Sequence, residues 1–177
     1  MAHLFEGGAT RWGVALIAKS RLLVVGAGGH GRLVAEAAEL SGQFEVVGFL
    51  DDVLPAGKSV LNAAVLGPMA SMGHQRVAAD QAIVAIGNNA VRENLMQQLA
   101  AAGFVHATVK HPRSIVSPSA VLSEGSAVMA GAIEGTESRL DVGSILNCGA
   151  VVDHHAIIED FAHLGAKARM AGGTVLC

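Results

Sequence analysis

The sequence predicts two units in tandem, a small parallel α/β layer structure followed by a parallel β-helix. Three observations carry this. Strand-like and helix-like stretches alternate over residues 21–110. A Gly26-x-Gly28-x-x-Gly31 turn stands between the first strand and the first helix. From Val116 to the C-terminus the chain repeats in sixes.

Residues 1–20 carry Glu6 and only a short apolar stretch from Trp12 to Ala18, a poor signal peptide. They read as a poorly ordered extension, or as an upstream start that the domain does not need. Leu22–Val25 is a short buried strand, and the glycine turn leads into an Ala-rich helix from about Arg32 to Leu40. Phe44–Leu50 is a second strand ending in Asp51-Asp52. Residues 53–81, with Pro55, Gly57, Gly67 and Pro68, read as loop. Ala82–Ile86 is a third strand, closed by Gly87-Asn88-Asn89. Val91–Ala102 is a helix, with Val91, Leu95 and Leu99 as its apolar face and Gly103 as its cap. Val105–Val109 is a candidate fourth strand, and His111-Pro112 breaks the pattern. The expected division is an extension at 1–20, an α/β domain at 21–111 and a solenoid at 112–177.

In the solenoid the first position of each six is Val116, Leu122, Val128, Glu134, Leu140, Leu146, Val152, Ile158, Leu164 and Met170. All but Glu134 are aliphatic or Met, and the fifth position is small throughout, from Ala120 to Thr174. A helix or a hairpin meander does not give this period. A short strand plus a corner does, with the aliphatic filling the interior and the small residue fitting the bend. Glu134 predicts a locally distorted or open coil edge. The run stops at Thr174–Cys177 within a unit and without a polar cap. The expectation is therefore a C-terminally incomplete protein.

Half of the 177 residues are apolar, but only 3% are aromatic and Gly reaches 22, a mix that suits a solenoid of small and β-branched residues. The net charge of −3 comes from scattered charges, which argues against nucleic acid or an anionic membrane as partner. Cys148 and Cys177 make neither a disulfide framework nor a CxxC pair, so a reducing compartment is expected.

The glycine turn stands where GxGxxG has chemical meaning, because glycines let backbone approach a phosphate at a helix N-terminus. A nucleotide or nucleotide sugar, an NAD-type dinucleotide, and a tight turn without ligand all stay open. His154 and His155 lie at a corner, outside the filled interior. His163 is half a coil away and is expected to approach His154 only across a subunit interface. An imidazole suits general-base work at neutral pH. The alternatives are a surface histidine on a polar corner and a zinc site from three histidines. Cys148 as a nucleophile has no visible base partner, and a buried or half-buried small residue is the simpler reading.

The runs Gly26-Ala-Gly-Gly-His30-Gly31, Phe49-Leu-Asp51-Asp52, Ala85-Ile-Gly87-Asn88-Asn89, His111-Pro112, Asn147-Cys-Gly-Ala-Val and Asp153-His154…Asp160-Phe161-Ala162-His163 occur in that order. Together they resemble the sialic-acid O-acetyltransferase (NeuD-type) and bacillosamine-pathway nucleotide-sugar N-acetyltransferase family, from about Arg21 to Cys177. The resemblance implies a Rossmann-like domain holding the acceptor, a left-handed parallel β-helix, a homotrimer, and acetyl-CoA lying between adjacent subunits. By resemblance His154 is the general base and His163 a second histidine near the acetyl group. Gly28, Gly29, His30 and Gly31 match the loop under the phosphates. Asp51 and Asp52 match the pair near nucleobase and ribose, and Gly87 and Asn88 match a loop at the same pocket. Members often carry an acidic residue directly after the base histidine, where this chain has His155.

The expected function is thus transfer of acetyl from acetyl-CoA to an amino or hydroxyl group of a sugar or nucleotide-linked sugar, in the cytoplasm, with no metal. A noncatalytic nucleotide-sugar-binding fragment and a zinc enzyme on the same β-helix are the alternatives.

Overall fold

The computed structural model describes residues 18–177; the extension expected at the N-terminus falls, up to residue 17, outside them. Strand β1 (Ser20–Val25) opens the α/β unit. Helix α1 (Gly29–Leu40), β2 (Phe44–Leu50), β3 (Ser59–Val60), β4 (Ala63–Gly67), β5 (Gln81–Val84), helix α2 (Asn89–Ala101) and β6 (Val105–His106) follow. The sheet order is β3-β4-β2-β1-β5-β6. All neighbours are parallel except the β3–β4 pair. The strand order therefore reverses between β1 and β5, and ligands bind at such a switch point, beyond the carboxyl ends of the strands.

Two expectations change here. Residues 53–81 are not all loop, because β3 and β4 add an edge hairpin and Met69–Val77 forms a 3-10 segment. The Gly and Pro residues mark its turns rather than its absence. The buried face of α2 is Arg92, Leu95, Met96 and Leu99, while Val91 is exposed. The spacing of 92, 95, 96 and 99 is the helical one, with a charged residue at one of its core positions.

The solenoid is three ladders of two-residue parallel strands. The first face stacks Val109–Lys110, Ala127–Val128, Ile145–Leu146 and His163–Leu164. The second stacks Ile115–Val116, Ile133–Glu134, Val151–Val152 and Arg169–Met170. The third stacks Val121–Leu122, Arg139–Leu140, Ile157–Ile158 and Val175–Leu176. Its ladders thus begin at Val109, ahead of His111-Pro112, so the stretch 105–109 is divided between the sheet of the first unit and the first face of the second. The interior holds the expected columns, including Val128, Leu140, Leu146, Val152, Ile158 and Leu164 with Ala132, Ala150, Ala156 and Ala162. The fourth position of the six takes positive φ at Gly125, Gly131, Gly143, Gly149 and Gly173, and also at Glu137, His155, Phe161 and Lys167. Glycine fits that corner without strain, so the other side chains stand there at a small local cost.

The coil edge at Glu134 is not distorted. Its ladder pairs regularly with Val116 and Val152, and the side chain is 1% exposed inside the solenoid. Ser138 Oγ donates to Glu134 Oε1 at 3.3 Å, and Oε2 has no partner. Burial, opposed weakly by the Ser138 bond, raises its pKa from 4.5 to about 7. Below the ordinary carboxylate value both folded and unfolded chains hold the proton. As pH rises the unfolded chain ionises first, and stability falls until the folded pKa is passed. Glu134→Leu is expected to remove this deficit, so that its gain near pH 8 exceeds its gain near pH 4 by about 3 kcal/mol. Thermal melts at the two pH values check it, and an equal gain at both would refute the charge explanation.

Candidate active site

The carboxyl ends of β1 and β5 carry the two loops singled out by sequence. Gly28 is the N-terminal boundary of α1, in extended conformation, and no side chain caps the helix. The first intrahelical bond near it is Arg32 N–H to the Gly28 carbonyl at 3.1 Å. The N–H groups of Gly29, His30 and Gly31 therefore have no helical acceptors, and they form the positive end of the dipole. Cβ atoms at Gly28 or Gly29 would meet nothing within 4 Å, so that side of the loop is open. Gly31 is closed, since a Cβ there would sit 1.9 Å from the Gly26 carbonyl oxygen. Gly31→Ala is expected to cost about 1–3 kcal/mol by forcing the turn apart, and acceptor affinity is expected to fall with it. Calorimetric titration of a folded variant with unchanged affinity would remove the loop from the binding site.

Asp51 shapes the same loop. Its Oδ2 accepts from Ala27 N–H at 2.8 Å, and Oδ1 accepts from Val53 and Leu54 N–H at 2.9 Å each. Burial works to raise its pKa, but these three bonds to the carboxylate outweigh it and the net shift is downward. Asp52 accepts from Met69 N–H at 2.8 Å. Asn88 caps α2, its Oδ1 accepting from Val91 N–H at 3.0 Å.

The solenoid completes this junction. Outward residues of the first face, Val109, Ala127 and Ile145, are buried, and the next residue in that column is His163. Gly87 lies against the His163 ring, and the rings of His30 and His163 are 6.1 Å apart. Asn147 Oδ1 accepts from Cys148 N–H at 2.7 Å, which turns the Asn147 amide nitrogen toward His163 Nε2 at 3.0 Å. Neutral His163 then accepts at Nε2 and carries its proton on Nδ1. Burial lowers the His163 pKa, the Gly87 backbone opposes that, and Arg92 adds to it. His30 is pushed down to about 4, first by burial and then by His163 and Arg92. Its Nε2 is buried without a partner.

Arg92 is the residue that sequence reasoning missed. It is fully buried. Nε donates to the Gly143 carbonyl at 2.7 Å, Nη1 to the Ile86 carbonyl at 2.7 Å, and Nη2 to Asn89 Oδ1 at 3.0 Å and to the Phe161 carbonyl. Burial lowers its pKa to about 10, which leaves it charged at neutral pH. Its hydrogen-bond partners are all neutral oxygens, so the junction keeps an uncompensated positive charge beside free helix N–H groups. That suits an anion.

His154 lies elsewhere, at the corner between the second and third faces. The three histidines do not converge: His154 meets His155, while His163 meets His30. Among the described residues, no three His, Cys, Asp or Glu side chains form a group suited to a metal ion. No helix there is long and apolar enough to cross a membrane. Cys148 is half-buried against the core of the α/β unit.

Comparison with known proteins bears on the family and the fold. Residues 21–99 match the PglD N-terminal domain family. The chain is 34% identical over 108 residues to the UDP-N-acetylbacillosamine N-acetyltransferase of Bacillus subtilis, a match that takes in 60% of this chain and 50% of that protein. The chain thus spans about half the length of the curated relatives it matches. Among solved structures it resembles the acetyltransferase domain of PglB from Neisseria gonorrhoeae, with a TM-score of 0.83, 37% identity, and coverage of 89% of this chain and 76% of that one. It also resembles a histidine-to-asparagine variant of perosamine N-acetyltransferase from Caulobacter crescentus, in complex with CoA and GDP-perosamine. There the TM-score is 0.82, the identity 31%, and the coverage 89% and 74%. With an α/β domain set on a left-handed parallel β-helix, the chain belongs to the nucleotide-sugar N-acetyltransferase family.

Proposed function

We propose that this protein transfers acetyl from acetyl-CoA to the amino group of a nucleotide-linked sugar. The observation that carries the reading is the junction itself. The open glycine loop, the Gly87 loop and His163 meet there around a buried, unpartnered His30 nitrogen and an uncompensated Arg92. In this reading Gly28, Gly29, His30 and Gly31 hold the diphosphate. Asp51 and Asp52 set the loops near nucleobase and ribose, and Gly87 and Asn88 line the same pocket. His163 stands near the acetyl group.

The acceptor amine attacks the thioester carbonyl, forming the C–N bond. His154 takes the amine proton, the C–S bond breaks, and the proton passes to the departing thiolate to give free CoA. His154 and His163 stand at different edges of one solenoid, so the reading needs a neighbouring subunit in a homotrimer. Exposed apolar residues on the second and third faces, Ile115, Ile133, Val121 and Val175, support such an assembly. The reading places the reaction in the cytoplasm, where acetyl-CoA is available, and needs no metal.

Free-thiol release from acetyl-CoA with a panel of UDP- and GDP-linked amino sugars and free sialic acid tests it. Turnover with a nucleotide-linked amino sugar is expected. Binding of the nucleotide sugar without thiol release would favour a noncatalytic binding module, and turnover with free sialic acid alone would replace the acceptor class.

A further inference from the structure

His154 can act as a base only if one ring nitrogen is bare and aimed outward, and something must hold the proton on the other. Asp153 does not do this. Its Oδ1 accepts from the His154 backbone N–H at 2.7 Å. His155 does touch the ring: His154 Nδ1 and His155 Nδ1 are 3.0 Å apart, with the ring planes at 85° and centroids 5.2 Å apart. The far nitrogen of His155, Nε2, is 2.8 Å from Glu137 Oε2.

The stacking of coils explains this contact. Glu137 and His155 are one coil apart, at the same corner position, and both take the left-handed conformation, with φ of 56° and 58°. The His155 N–H donates to the Thr136 carbonyl at 2.9 Å, which holds the two corners in register. One coil further on, at the position after His154 in that stack, stands Gly172. A Cβ at Gly172 would lie 2.5 Å from His154 Cε1 and Nε2, so the missing side chain is what gives the ring its room.

The proton positions follow from donor and acceptor counting. A carboxylate only accepts, so Glu137 takes the proton-bearing Nε2 of His155. Neutral His155 then has a lone pair on Nδ1. That lone pair can accept only if His154 carries its own proton on Nδ1, which leaves His154 Nε2 bare. We propose that Glu137 and His155 are positioning residues that hold His154 in the tautomer with Nε2 free, a carboxylate–imidazole–imidazole chain built across two coils. When His154 takes a proton at Nε2, its Nδ1–H still donates to His155, and the Glu137 charge stands at the end of the chain to balance the imidazolium. No covalent bond changes in this chain, and the only proton moved is the one the acceptor gives up.

The role rests on the proposed transferase reaction, so its test has a readout that does not need turnover. In the full chain labelled with 15N, the ring nitrogens of His154 are expected to show a protonated Nδ1 and a bare Nε2 near neutral pH. Glu137→Gln lets the amide donate to His155 Nε2, which reverses the chain. The expected results are a shift of His154 toward the Nε2-protonated form and a fall in kcat of about ten- to a hundredfold at nearly unchanged KM for both substrates. His155→Glu in the Glu137→Gln background brings a carboxylate one link closer and is expected to restore most of kcat. Wild-type nitrogen shifts retained in both Glu137→Gln and His155→Ala would overturn the chain, as would unchanged kcat in both. A wild-type protein without transferase activity would sink the proposed function instead, and the nitrogen shifts would then decide the chain alone.

Discussion

Replacing His154 with alanine is expected to lower kcat for acetyl transfer by about a hundred- to ten-thousandfold, the contribution usual for a positioned general base. Nucleotide-sugar affinity is expected to stay at the wild-type value. The separation follows from geometry. The glycine loop, proposed to hold the phosphates, lies at the carboxyl end of β1 beside that of β5, whereas His154 stands at the corner between the second and third faces of the solenoid. Its side chain touches His155 and packs over Gly172, and neither belongs to the α/β unit. Thiol-release kinetics paired with calorimetric binding decide the matter. Equal losses of affinity and rate would mean that His154 shapes the acceptor pocket instead of taking its proton.

Arg92→Leu is expected to destabilise the fold by about 3–5 kcal/mol, since charge-assisted bonds to carbonyls are lost and their buried oxygens are left without donors. In a chain of this size that lowers the melting temperature by roughly 6–20 °C. The guanidinium joins the Ile86 carbonyl and Asn89 of the loop between β5 and α2 to the carbonyls of Gly143 and Phe161, which are stacked corners of the solenoid. Acceptor affinity is therefore expected to fall in whatever fraction stays folded, because the loop bearing Gly87 loses its anchor. Arg92→Lys keeps the charge but cannot reach in three directions, so it recovers only part of the loss. A leucine variant melting within about 2 °C of wild type would show that the apolar contacts of α2 hold the junction without the guanidinium.

Much of the architecture was legible because its signals are periodic. The aliphatic and small columns from Val116 onward could only satisfy a six-residue unit, and those columns fill the interior. Glu134 is the instructive exception. A single carboxyl group enters the column without breaking it, because burial lifts its pKa and its neighbours in the ladder hold the register. Signals that depend on distance in space were harder to read. Arg92 sits at a helical core position, yet a charge is normally discounted there, and its acceptors lie 51 and 69 residues away. The contact between Glu137 and His155 needs the 18-residue coil applied to outward positions, not just inward ones. Asp51 reads from sequence as a group facing ligand, while both of its oxygens receive backbone N–H groups of the chain's own loops.

The passage from one unit to the other has a kinetic consequence. Ala107 N–H still bonds to Ala82 in the sheet, and Val109 N–H already bonds to Ser126 in the solenoid, so Thr108 alone lies between them. Both faces of the sheet also bury apolar side chains against solenoid residues, Val109, Ala127 and Met129 on one side and Val142 and Phe161 on the other. A chain tied in this way has no pivot. On the proposed transferase reading, such a build predicts a reaction that does not wait for halves to swing shut and reopen. On that reading turnover is set by ligand arrival, chemistry and release, and the distance from the glycine loop to His163 acts as a fixed gauge against which an acceptor sugar is either the right length or not.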